Sequence, residues 1–531
     1  MGGERKHRRA LGGALGILAL VVCAIVAFLV WRPSSPGARP QHPLSSDDGP
    51  SSAAPDGDTE SRIVAFCSDC HAMPRAESFP RHAWHDRVRK GYEFYAQSGR
   101  NDLDPPPVHV TAAYFRAHAP ERQLYPEPVE AETELGATFA VEQVTLAVDV
   151  ALPPAISHLR WTRLEPDGAP VLVVCDMRHG GVVAVGLRGR GPRLRTLARL
   201  NNPCHVEACD LDADGAIDLV VADLGSFLPD DHDRGRVVWL RRREASGRFD
   251  EVVLASGLGR VADARPADLD GDGDLDVLVA DFGWHRTGQI VLLRNVAGQG
   301  EPPRFETEQI DPRPGTIHVP VHDFDRDGRP DFVALVSQEY ESLDMFLNQG
   351  DARFRLRTLW TGPDLTFGSS GIELTDLDQD GDMDVLYTNG DSFDNSYVNP
   401  SHGVQWLENV GRLEFAYHRL TGMLGVHRAL AGDVDGDGDL DVVAVSMLPD
   451  QFLPREAARR PPASILCLEQ TSPGVFVRHT LEAGSPYYAT LELADFDDGD
   501  LDFAVGPHSI GARDLPHRLS IWRNQRISTS R

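Results

Sequence analysis

The chain has 531 residues, with 80 Asp and Glu against 52 Lys and Arg, so its formal net charge is −28. This acidic surplus excludes nucleic acids and anionic lipid surfaces as main partners, because both repel an acidic surface. The apolar share of 41 % suffices for a large core, and 49 Gly with 38 Pro favour a turn-rich, mainly β chain over a helical one.

The first sixty residues predict export and a tether. A basic tail, residues 1–10, precedes the uncharged apolar stretch 11–31, which is about the length of a transmembrane helix. A cleaved signal peptide has a shorter apolar core that ends in small residues. We therefore expect an uncleaved membrane anchor, with its N-terminal side in the cytoplasm and the bulk of the chain periplasmic or extracellular. Residues 32–60, rich in Pro, Ser and Gly, predict a disordered linker.

The next segment carries a motif typical of covalent haem attachment, Cys67-Ser68-Asp69-Cys70-His71. Each thiol can bond one vinyl group of the haem, and the adjacent histidine then ligates the iron. A zinc ribbon needs a second close pair of ligands, and a thioredoxin-type disulfide needs a βαβ context. Neither is present in the sequence. We predict haem c bound through Cys67 and Cys70, with His71 as an axial ligand.

The surrounding segment predicts a small helical domain. Residues 81–97 form one amphipathic pattern, and a second helix is predicted from Thr111 as N-cap to residue 120. Residues 61–125 therefore resemble a small cytochrome c domain. Proteins of that family are mainly carriers of single electrons.

The sixth ligand of the predicted haem departs from the family pattern. Many cytochromes c use a methionine well downstream of the motif, but Met73 follows His71 too closely to reach the other side of the iron. We expect His85 or His109 there. Met177 or water is the alternative.

Beyond residue 130 the pattern D-x-D-x-D-G-x-x-D occurs five times, starting at residues 210, 268, 323, 376 and 433. Alternating carboxylates in a tight loop suit a hard cation, and Ca²⁺ takes six to eight oxygen ligands. We predict about five bound calcium ions. Their candidate ligands are Asp210, Asp212, Asp214, Asp218, Asp268, Asp270, Asp272, Asp276, Asp323, Asp325, Asp327, Asp331, Asp376, Asp378, Asp380, Asp384, Asp433, Asp435, Asp437 and Asp441.

An EF-hand is excluded, because it needs a glutamate at the twelfth position and flanking helices, whereas strand-like runs follow these loops. A sixth loop, with Asp495, Asp497 and Asp502, is one residue short before its glycine, so a sixth calcium ion is left open. A degenerate seventh unit, residues 163–174, retains only Asp167-Gly168 and predicts no metal.

Each unit continues with further short strands, so the six units and the degenerate one predict a seven-bladed β-propeller. The last unit lacks its outer strand, and residues 135–146 are predicted to supply it and close the ring. Residues 130–527 resemble the FG-GAP/VCBS repeats of integrin-α-type propellers. That resemblance implies a calcium-stiffened recognition scaffold and no activity. The predicted fold class is mainly β: a calcium-loop propeller, preceded by a transmembrane helix and a small all-α cytochrome c-like domain.

The arrangement as a whole resembles exported bacterial proteins that join a small cytochrome c domain to such repeats. We expect a membrane-anchored electron-transfer protein of the cell envelope whose propeller docks an unidentified redox partner or extracellular ligand. One alternative is an enzyme whose propeller oxidises a small molecule and passes electrons to its own haem. The other is an adhesion or recognition propeller with a haem sensor. Between these the sequence leans away from an enzyme, because the blades of quinone-cofactor dehydrogenases lack this serial acidic loop and the acids here are already assigned to structural calcium.

Two smaller points are left open or interpreted as structural. Cys204 and Cys209 form either a disulfide or two buried thiols. His205 and His318 are interpreted as ordinary propeller positions.

Overall fold

The computed structural model describes residues 57–69, 73–146, 152–165, 167–189, 191–243, 247–298, 301–393, 397–449, 451–453, 460–497, 499–508 and 518–525. Its first part is a helical unit, residues 57–125, with three α-helices: α1 (Gly57–Cys67), α2 (Trp84–Gln97) and α3 (Val108–His118). Two short 3₁₀ helices, Ala76–Ser78 and Arg81–Ala83, lie between α1 and α2.

From Phe139 onward the described elements are strands, and they form seven antiparallel sheets, the blades of a propeller. Strand β1 (Phe139–Thr145) precedes blade 1 in the chain. Blade 1 is β2 (Ile156–Thr162), β3 (Val171–Asp176), β4 (Gly181–Gly186) and β5 (Arg193–Arg199). Blade 2 is β6 (Pro203–Cys209), β7 (Asp218–Asp223), β8 (Gly235–Arg243) and β9 (Arg248–Leu258). Blade 3 is β10 (Val261–Ala267), β11 (Asp276–Asp281), β12 (Gln289–Asn295) and β13 (Phe305–Asp311).

The remaining blades repeat this order. Blade 4 has its first strand in two parts, β14 (Thr316–His318) and β15 (Val321–His322). Its second, third and fourth strands are β16 (Asp331–Val336), β17 (Ser342–Asn348) and β18 (Phe354–Thr361). Blade 5 is β19 (Ser369–Thr375), β20 (Asp384–Asn389), β21 (Gly403–Asn409) and β22 (Phe415–Gly422). Blade 6 is β23 (Val426–Gly432), β24 (Asp441–Ser446), β25 (Ala463–Ser472) and β26 (Val475–Ala483). Blade 7 is β27 (Tyr488–Ala494), β28 (Asp502–Pro507) and β29 (Arg518–Asn524), completed by β1.

The ring is closed by a strand from the other end of the sequence. Strand β1 pairs antiparallel with β29, with Phe139 opposite Asn524 and Thr145 opposite Arg518. The backbone N–H of Gln525 extends this pairing by donating to the carbonyl of Thr138 at 2.7 Å. The predicted seven-bladed propeller and its closing strand are therefore confirmed. Because β1 covers β29, the last strand of the chain is not left as an exposed sheet edge.

The core of the propeller lies between the blades. Buried side chains form seven clusters, and each cluster joins two neighbouring blades. One of them packs Val144 and Phe496 of blade 7 against Leu159 and Leu172 of blade 1. The first strand of each blade contacts the first strands of its neighbours. These innermost strands therefore line the central channel.

The helical unit has a separate small core and differs from the sequence prediction at two helix starts. Helix α1 begins at Gly57, so the linker predicted over residues 32–60 overlaps the first turn of this helix. Helix α3 begins at Val108 after Pro107, which has a fixed φ suited to a helix start. Thr111 is therefore not the cap, and its buried hydroxyl hydrogen-bonds the hydroxyl of Tyr92 at 2.7 Å.

The helical unit and the propeller belong to one compact unit of the chain. The hydroxyl of Ser78 donates to Asp364 at 2.8 Å, and the hydroxyl of Tyr125 donates to the carbonyl of Val398 at 3.0 Å. The ring of Phe79 packs edge-on against Tyr397. These propeller residues lie between β18 and β19 or between β20 and β21. The loops with the acidic repeats connect first to second strands, so they lie on the opposite face of the ring.

The predicted membrane anchor, residues 11–31, lies outside the described residues. Among the helices that the structure does describe, none is both long and apolar enough to cross a membrane.

Because β1 closes the ring, the free energy of unfolding should depend strongly on the buried side chains of β1. Val144 is fully buried, whereas Val141 on the same strand is 47 % exposed. The substitution Val144→Asp should lower the free energy of unfolding by at least about 3 kcal/mol, because it buries a carboxylate without a partner. Val141→Asp is the matched control and should change it by less than about 1 kcal/mol. Urea unfolding of both variants measures the difference, and equal losses would contradict the closure by β1.

Candidate metal and haem sites

Each acidic loop is organised around its last aspartate, which begins the second strand of the blade and is buried. These aspartates are Asp218, Asp276, Asp331, Asp384, Asp441 and Asp502, and none is more than 1 % exposed. In blade 4, one carboxylate oxygen of Asp331 accepts the N–H of Asn348 at 2.7 Å and the other accepts the N–H of Phe324 at 3.0 Å. The same pair of bonds recurs in blades 2, 3, 5, 6 and 7. This arrangement, the aspartate clamp, ties the start of each loop to the third strand of its blade.

The turn inside each loop needs glycine. Gly215 and Gly328 have φ angles of 88° and 86°, a region that residues with a Cβ rarely adopt. Their backbone N–H groups donate to the first aspartate of the loop, Asp210 or Asp323, at 2.9 Å. The conformation folds the loop back over its own carboxylates.

The structure brings three carboxylates of each repeat within 4.8 Å of one another. In four loops these are the first, second and fourth aspartates: Asp210, Asp212, Asp218; Asp268, Asp270, Asp276; Asp323, Asp325, Asp331; and Asp433, Asp435, Asp441. In blade 5 they are Asp376, Asp378 and Asp380. The third aspartate of every one of these loops also accepts a backbone N–H two residues further on, as Asp214 does from Ala216 at 2.9 Å and Asp380 does from Asp382 at 2.8 Å.

The electrostatics of these loops fit a bound cation. Burial raises the pKa of Asp276 and Asp384 to about 6 and that of Asp441 to about 7, and neighbouring aspartates add to each shift. Buried carboxylate oxygens of Asp376 and Asp433 have no hydrogen-bond partner among the described residues. Oxygen-only donors of like charge at this distance suit Ca²⁺, so the residues present fit the ion that the repeat pattern predicts.

The two irregular loops are bridged by arginine. In the sixth acidic loop, Arg523 lies 3.1 Å from Asp497 and 3.2 Å from Asp502. In the same loop Asp495 accepts the N–H of Gly499 at 3.1 Å, and residue 498 lies outside the described residues. In the degenerate unit of blade 1, the guanidinium of Arg163 donates to the carbonyl of Gly168 and closes the turn.

The structure describes the first thiol of the predicted haem motif, whereas Cys70 and His71 lie outside the described residues. Cys67 is a free thiol at the last position of α1, packed against the core of the helical unit. Burial raises its pKa to about 11. The preceding Phe66 stacks near Tyr92 with ring centroids 4.6 Å apart. Asp69 pairs with Arg100 at 2.5 Å, which ties the start of the motif to the segment after α2.

A free thiol at a helix end, in an aromatic apolar setting, fits covalent haem attachment at Cys67. Both residues predicted as the sixth ligand are exposed: His85 on α2 and His109 in the first turn of α3. Met177, the alternative, is buried and packs against Ala155 and Leu224 inside the propeller. Its side chain is thus committed to the propeller core.

The disulfide alternative for Cys204 and Cys209 is wrong. Both thiols are free, and both residues lie on β6, five positions apart. An extended strand rises about 3.3 Å per residue, which separates them by far more than a disulfide spans. The thiol of Cys204 instead donates to the carbonyl of Val261 at 3.1 Å.

The central channel contains a polar cavity of about 220 Å³ that the sequence did not predict. Charged side chains of the innermost strands line it: Arg160, Glu207, Arg265, Glu373, Arg428 and Glu492. All but Arg428 lie in the second half of those strands, toward the face with the acidic loops. Most occupy the third position before the first residue of a repeat loop, as Glu207 does before Asp210. This shared spacing was the signal available in the sequence.

The charges in the cavity are paired across neighbouring blades. Arg160 of blade 1 lies 3.1 Å from Glu207 of blade 2, and Arg428 of blade 6 lies 2.5 Å from Glu373 of blade 5. Glu492 accepts the backbone N–H of Trp161 at 2.6 Å. Burial raises the pKa of Glu492 to about 7, against the opposing effect of that hydrogen bond and of the nearby arginines.

His205 and His318, interpreted from the sequence as ordinary propeller positions, lie on innermost strands β6 and β14 and meet at one buried carboxylate. The Nδ1 atom of His205 lies 2.9 Å from Asp263, and that of His318 lies 3.6 Å from the other oxygen of the same carboxylate. Burial lowers the pKa of His318 to about 4. Arg265 lies 2.9 Å from Asp263 as well, so this buried carboxylate stays ionised and holds three side chains together.

Residues 210–279 and 287–387 match the family model described as FG-GAP-like repeat. Solved structures with a similar fold include two crystal structures of BBS1N in complex with ARL6DN, one soaked with mercury and one with lead. Their identities are 11 % and 12 % and their TM-scores 0.46 and 0.44, over 75 % of this chain and 99 % of theirs. No curated protein matches the chain. The described strands thus form a seven-bladed β-propeller, and two of its segments match the FG-GAP-like repeat model.

The position of Glu492 predicts a pH-dependent stability term. Its pKa rises from 4.5 in the unfolded chain to about 7 in the folded protein. The stabilisation from the bound proton is complete below pH 4.5 and is lost as the pH rises through 7. Glu492→Gln should therefore be more stable than wild type at pH 8 by about 3 kcal/mol, and equally stable at pH 4.5. Urea unfolding at both pH values measures this.

The control is Glu306→Gln, because Glu306 is exposed on β13. Its stability should follow wild type at both pH values. A Glu492→Gln variant that is less stable than wild type at pH 8 would show that the ionised carboxylate stabilises the channel.

Proposed function

We propose that this protein is an electron-transfer protein of the bacterial cell envelope, in which a calcium-stiffened propeller holds a small c-type haem domain. The observation that carries the proposal is Cys67. Its thiol is free, lies at the end of α1 amid the core of the helical unit, and begins the motif Cys67-Ser68-Asp69-Cys70-His71. Covalently attached haem would supply reversible one-electron oxidation and reduction at this position.

The contacts between the helical unit and the propeller support a fixed orientation for the motif. Ser78 and Asp364 form a buried hydrogen bond, and Tyr397 of the propeller joins the core of the helical unit. A buried polar contact combined with an apolar one specifies a single docking geometry. In this proposal the propeller therefore orients the haem domain, and a redox partner protein meets an exposed side of the helical unit.

The segment after the helical unit strengthens the attachment. Glu130 pairs with Arg478 at 2.8 Å and also accepts the hydroxyl of Thr480 at 2.9 Å. The backbone N–H of Ala131 donates to the carbonyl of Arg478 at 2.7 Å. The chain thus runs along the outer strand of blade 6 before it enters blade 7 as β1, which leaves little freedom between the two parts.

Calcium has a structural part in the proposal. Five loops bring like charges together on one face of the ring, and bound Ca²⁺ would offset their repulsion. The membrane tether through residues 11–31 and the location outside the cytoplasm belong to the same proposal. They rest on the hydropathy and charge of the N-terminal sequence.

A second candidate function is an oxidoreductase that oxidises a small molecule and reduces its own haem. The polar cavity favours it, because Glu492 combines burial with a pKa near neutrality and lies among arginines that suit anionic groups. Adhesion or recognition by the propeller, with haem as a sensor, stays the third candidate. The same cavity would then serve binding alone.

Expression of the full chain with haem-attachment machinery tests the main proposal. The reduced-minus-oxidised optical spectrum should be of the sharp, low-spin c type, and the colour should stay with the polypeptide on denaturation. Cys67→Ser should remove at least half of the covalent haem, because one of the two thioether bonds is lost. Cys467→Ser is the matched control, because that thiol is buried in the propeller. Absence of covalent haem from the wild-type protein would overturn the cytochrome proposal.

Two further outcomes of that spectrum separate the candidate functions. Loss of the low-spin form in His85→Ala or His109→Ala would identify the sixth ligand. A high-spin spectrum in wild type, or reduction of the haem on addition of an alcohol, aldehyde or sugar, would favour the sensor or the enzyme instead.

Removal of calcium tests the structural part. A chelator should lower the thermal unfolding midpoint of the full chain by more than 5 °C, and added Ca²⁺ should restore it by mass action, whereas Mg²⁺ should not. Calorimetry or circular dichroism measures the midpoint. A midpoint that is the same with and without chelator would contradict structural calcium.

A further inference from the structure

One position of each blade distinguishes the acidic loops from one another. The strand register identifies the residue of the third strand that lies opposite the buried aspartate. In blade 2 Val220 pairs with Trp239, so Asp218 lies opposite Arg241. In blade 6 Val442 pairs with Leu468, so Asp441 lies opposite Glu469. The residues at this position are Arg241, Arg294, Leu347, Glu408, Glu469 and Arg523 in blades 2 to 7.

In blades 2 and 3 this position places a guanidinium on the loop. Arg241 lies 2.5 Å from Asp212 and 3.7 Å from Asp214. Arg294 lies 2.8 Å from Asp270. Each arginine therefore supplies a positive charge where a cation would otherwise be required, and it would repel Ca²⁺ that enters the same group of carboxylates.

Blade 4 has an apolar residue at the position but an arginine within the loop. Leu347 is buried, and Arg329 contacts the carboxylate of Asp327. The charge of this loop is thus also offset in part by the protein.

In blades 5 and 6 the position holds a glutamate. Glu408 lies 2.6 Å from His418, and Glu469 lies 2.7 Å from His479, so each glutamate is oriented by a histidine of the fourth strand. These two loops therefore carry more negative charge than the others.

The first aspartate of the loop provides an independent distinction. In blades 2 and 4, both oxygens of Asp210 and of Asp323 accept backbone N–H groups, and the same is true of Asp268 in blade 3. In blades 5 and 6, by contrast, one oxygen of the first aspartate, Asp376 or Asp433, is buried without a hydrogen-bond partner among the described residues. In blade 2 the unpartnered buried oxygens belong to the second aspartate, Asp212, and there Arg241 lies 2.5 Å away and supplies the positive charge. A buried unpartnered carboxylate oxygen requires a cation or a donor.

From these two observations we infer that the acidic loops form two classes, with tight calcium sites in blades 5 and 6 and weaker ones in blades 2, 3 and 4. The inference rests on the proposed calcium binding and concerns the residues that set the calcium affinity of each loop. Glu408 and Glu469 strengthen binding by adding negative charge, and Arg241 and Arg294 weaken it by competing for the loop carboxylates. Calcium loss at falling concentrations would then begin on one side of the ring.

Calorimetric titration of the calcium-stripped full chain tests this. Two ions per chain should bind at least about tenfold more tightly than the remainder, as expected for a change of one unit charge beside a divalent ion. The double variant Glu408→Gln, Glu469→Gln should lose the tight class. Arg241→Gln should add a third tight ion, and Arg355→Gln is the control, because Arg355 is exposed on β18.

Thermal unfolding of Arg241→Gln gives a second test, in which chelator and added Ca²⁺ should change the unfolding midpoint in opposite directions. In chelator the variant should unfold at a lower temperature than wild type, because Asp212 and Asp214 lose their counter-charge. Its gain on addition of Ca²⁺ should be larger than that of wild type. Binding of several ions in one class, or an Arg241→Gln isotherm equal to wild type, would overturn the inference and leave calcium binding intact. No heat of calcium binding in any variant would overturn the calcium proposal and the inference together.

Discussion

The aspartate clamp is the interaction on which the propeller depends. A buried carboxylate at the start of the second strand accepts one backbone N–H from its own loop and one from the third strand, in six of the seven blades. Two charge-assisted hydrogen bonds offset the cost of burying the carboxylate. The clamp fixes where the loop turns, so the remaining carboxylates converge above it. The acidic repeat is therefore a structural device first, and it becomes a candidate cation site as a consequence.

The clamp also separates the functions of the two faces. It places every acidic loop between the first and second strands, on one side of the ring. The loops on the other side are not constrained by the clamp. Three of their residues, Asp364, Tyr397 and Val398, contact the helical unit. The channel connects the two sides, with a polar cavity toward the acidic face. Under the proposed function, a partner that meets the helical unit and a cation that binds the acidic loops would therefore lie on different faces of the ring.

Regular spacing made the blades predictable, whereas contacts between blades were not visible in the sequence. The six acidic units, the degenerate unit and the strand with Phe139 predicted seven blades and their closure, because each blade repeats one local pattern. The channel residues, Glu492 among them, come from different blades and meet only once the ring is closed. Helix α3 begins at Val108, directly after Pro107, and Thr111 is not its cap, because the threonine hydroxyl pairs with Tyr92 instead. The roles of Arg241 and Glu408 required the strand register, since neither belongs to the acidic motif.

Mass spectrometry of the full chain, recorded under native and then denaturing conditions, tests the account most directly. The account predicts a native mass above that of the 58.2 kDa polypeptide by one haem and several calcium ions. On denaturation the calcium should leave and the haem should remain, because only the haem is covalently bound. A native mass equal to that of the polypeptide alone would contradict both the haem domain and the calcium loops.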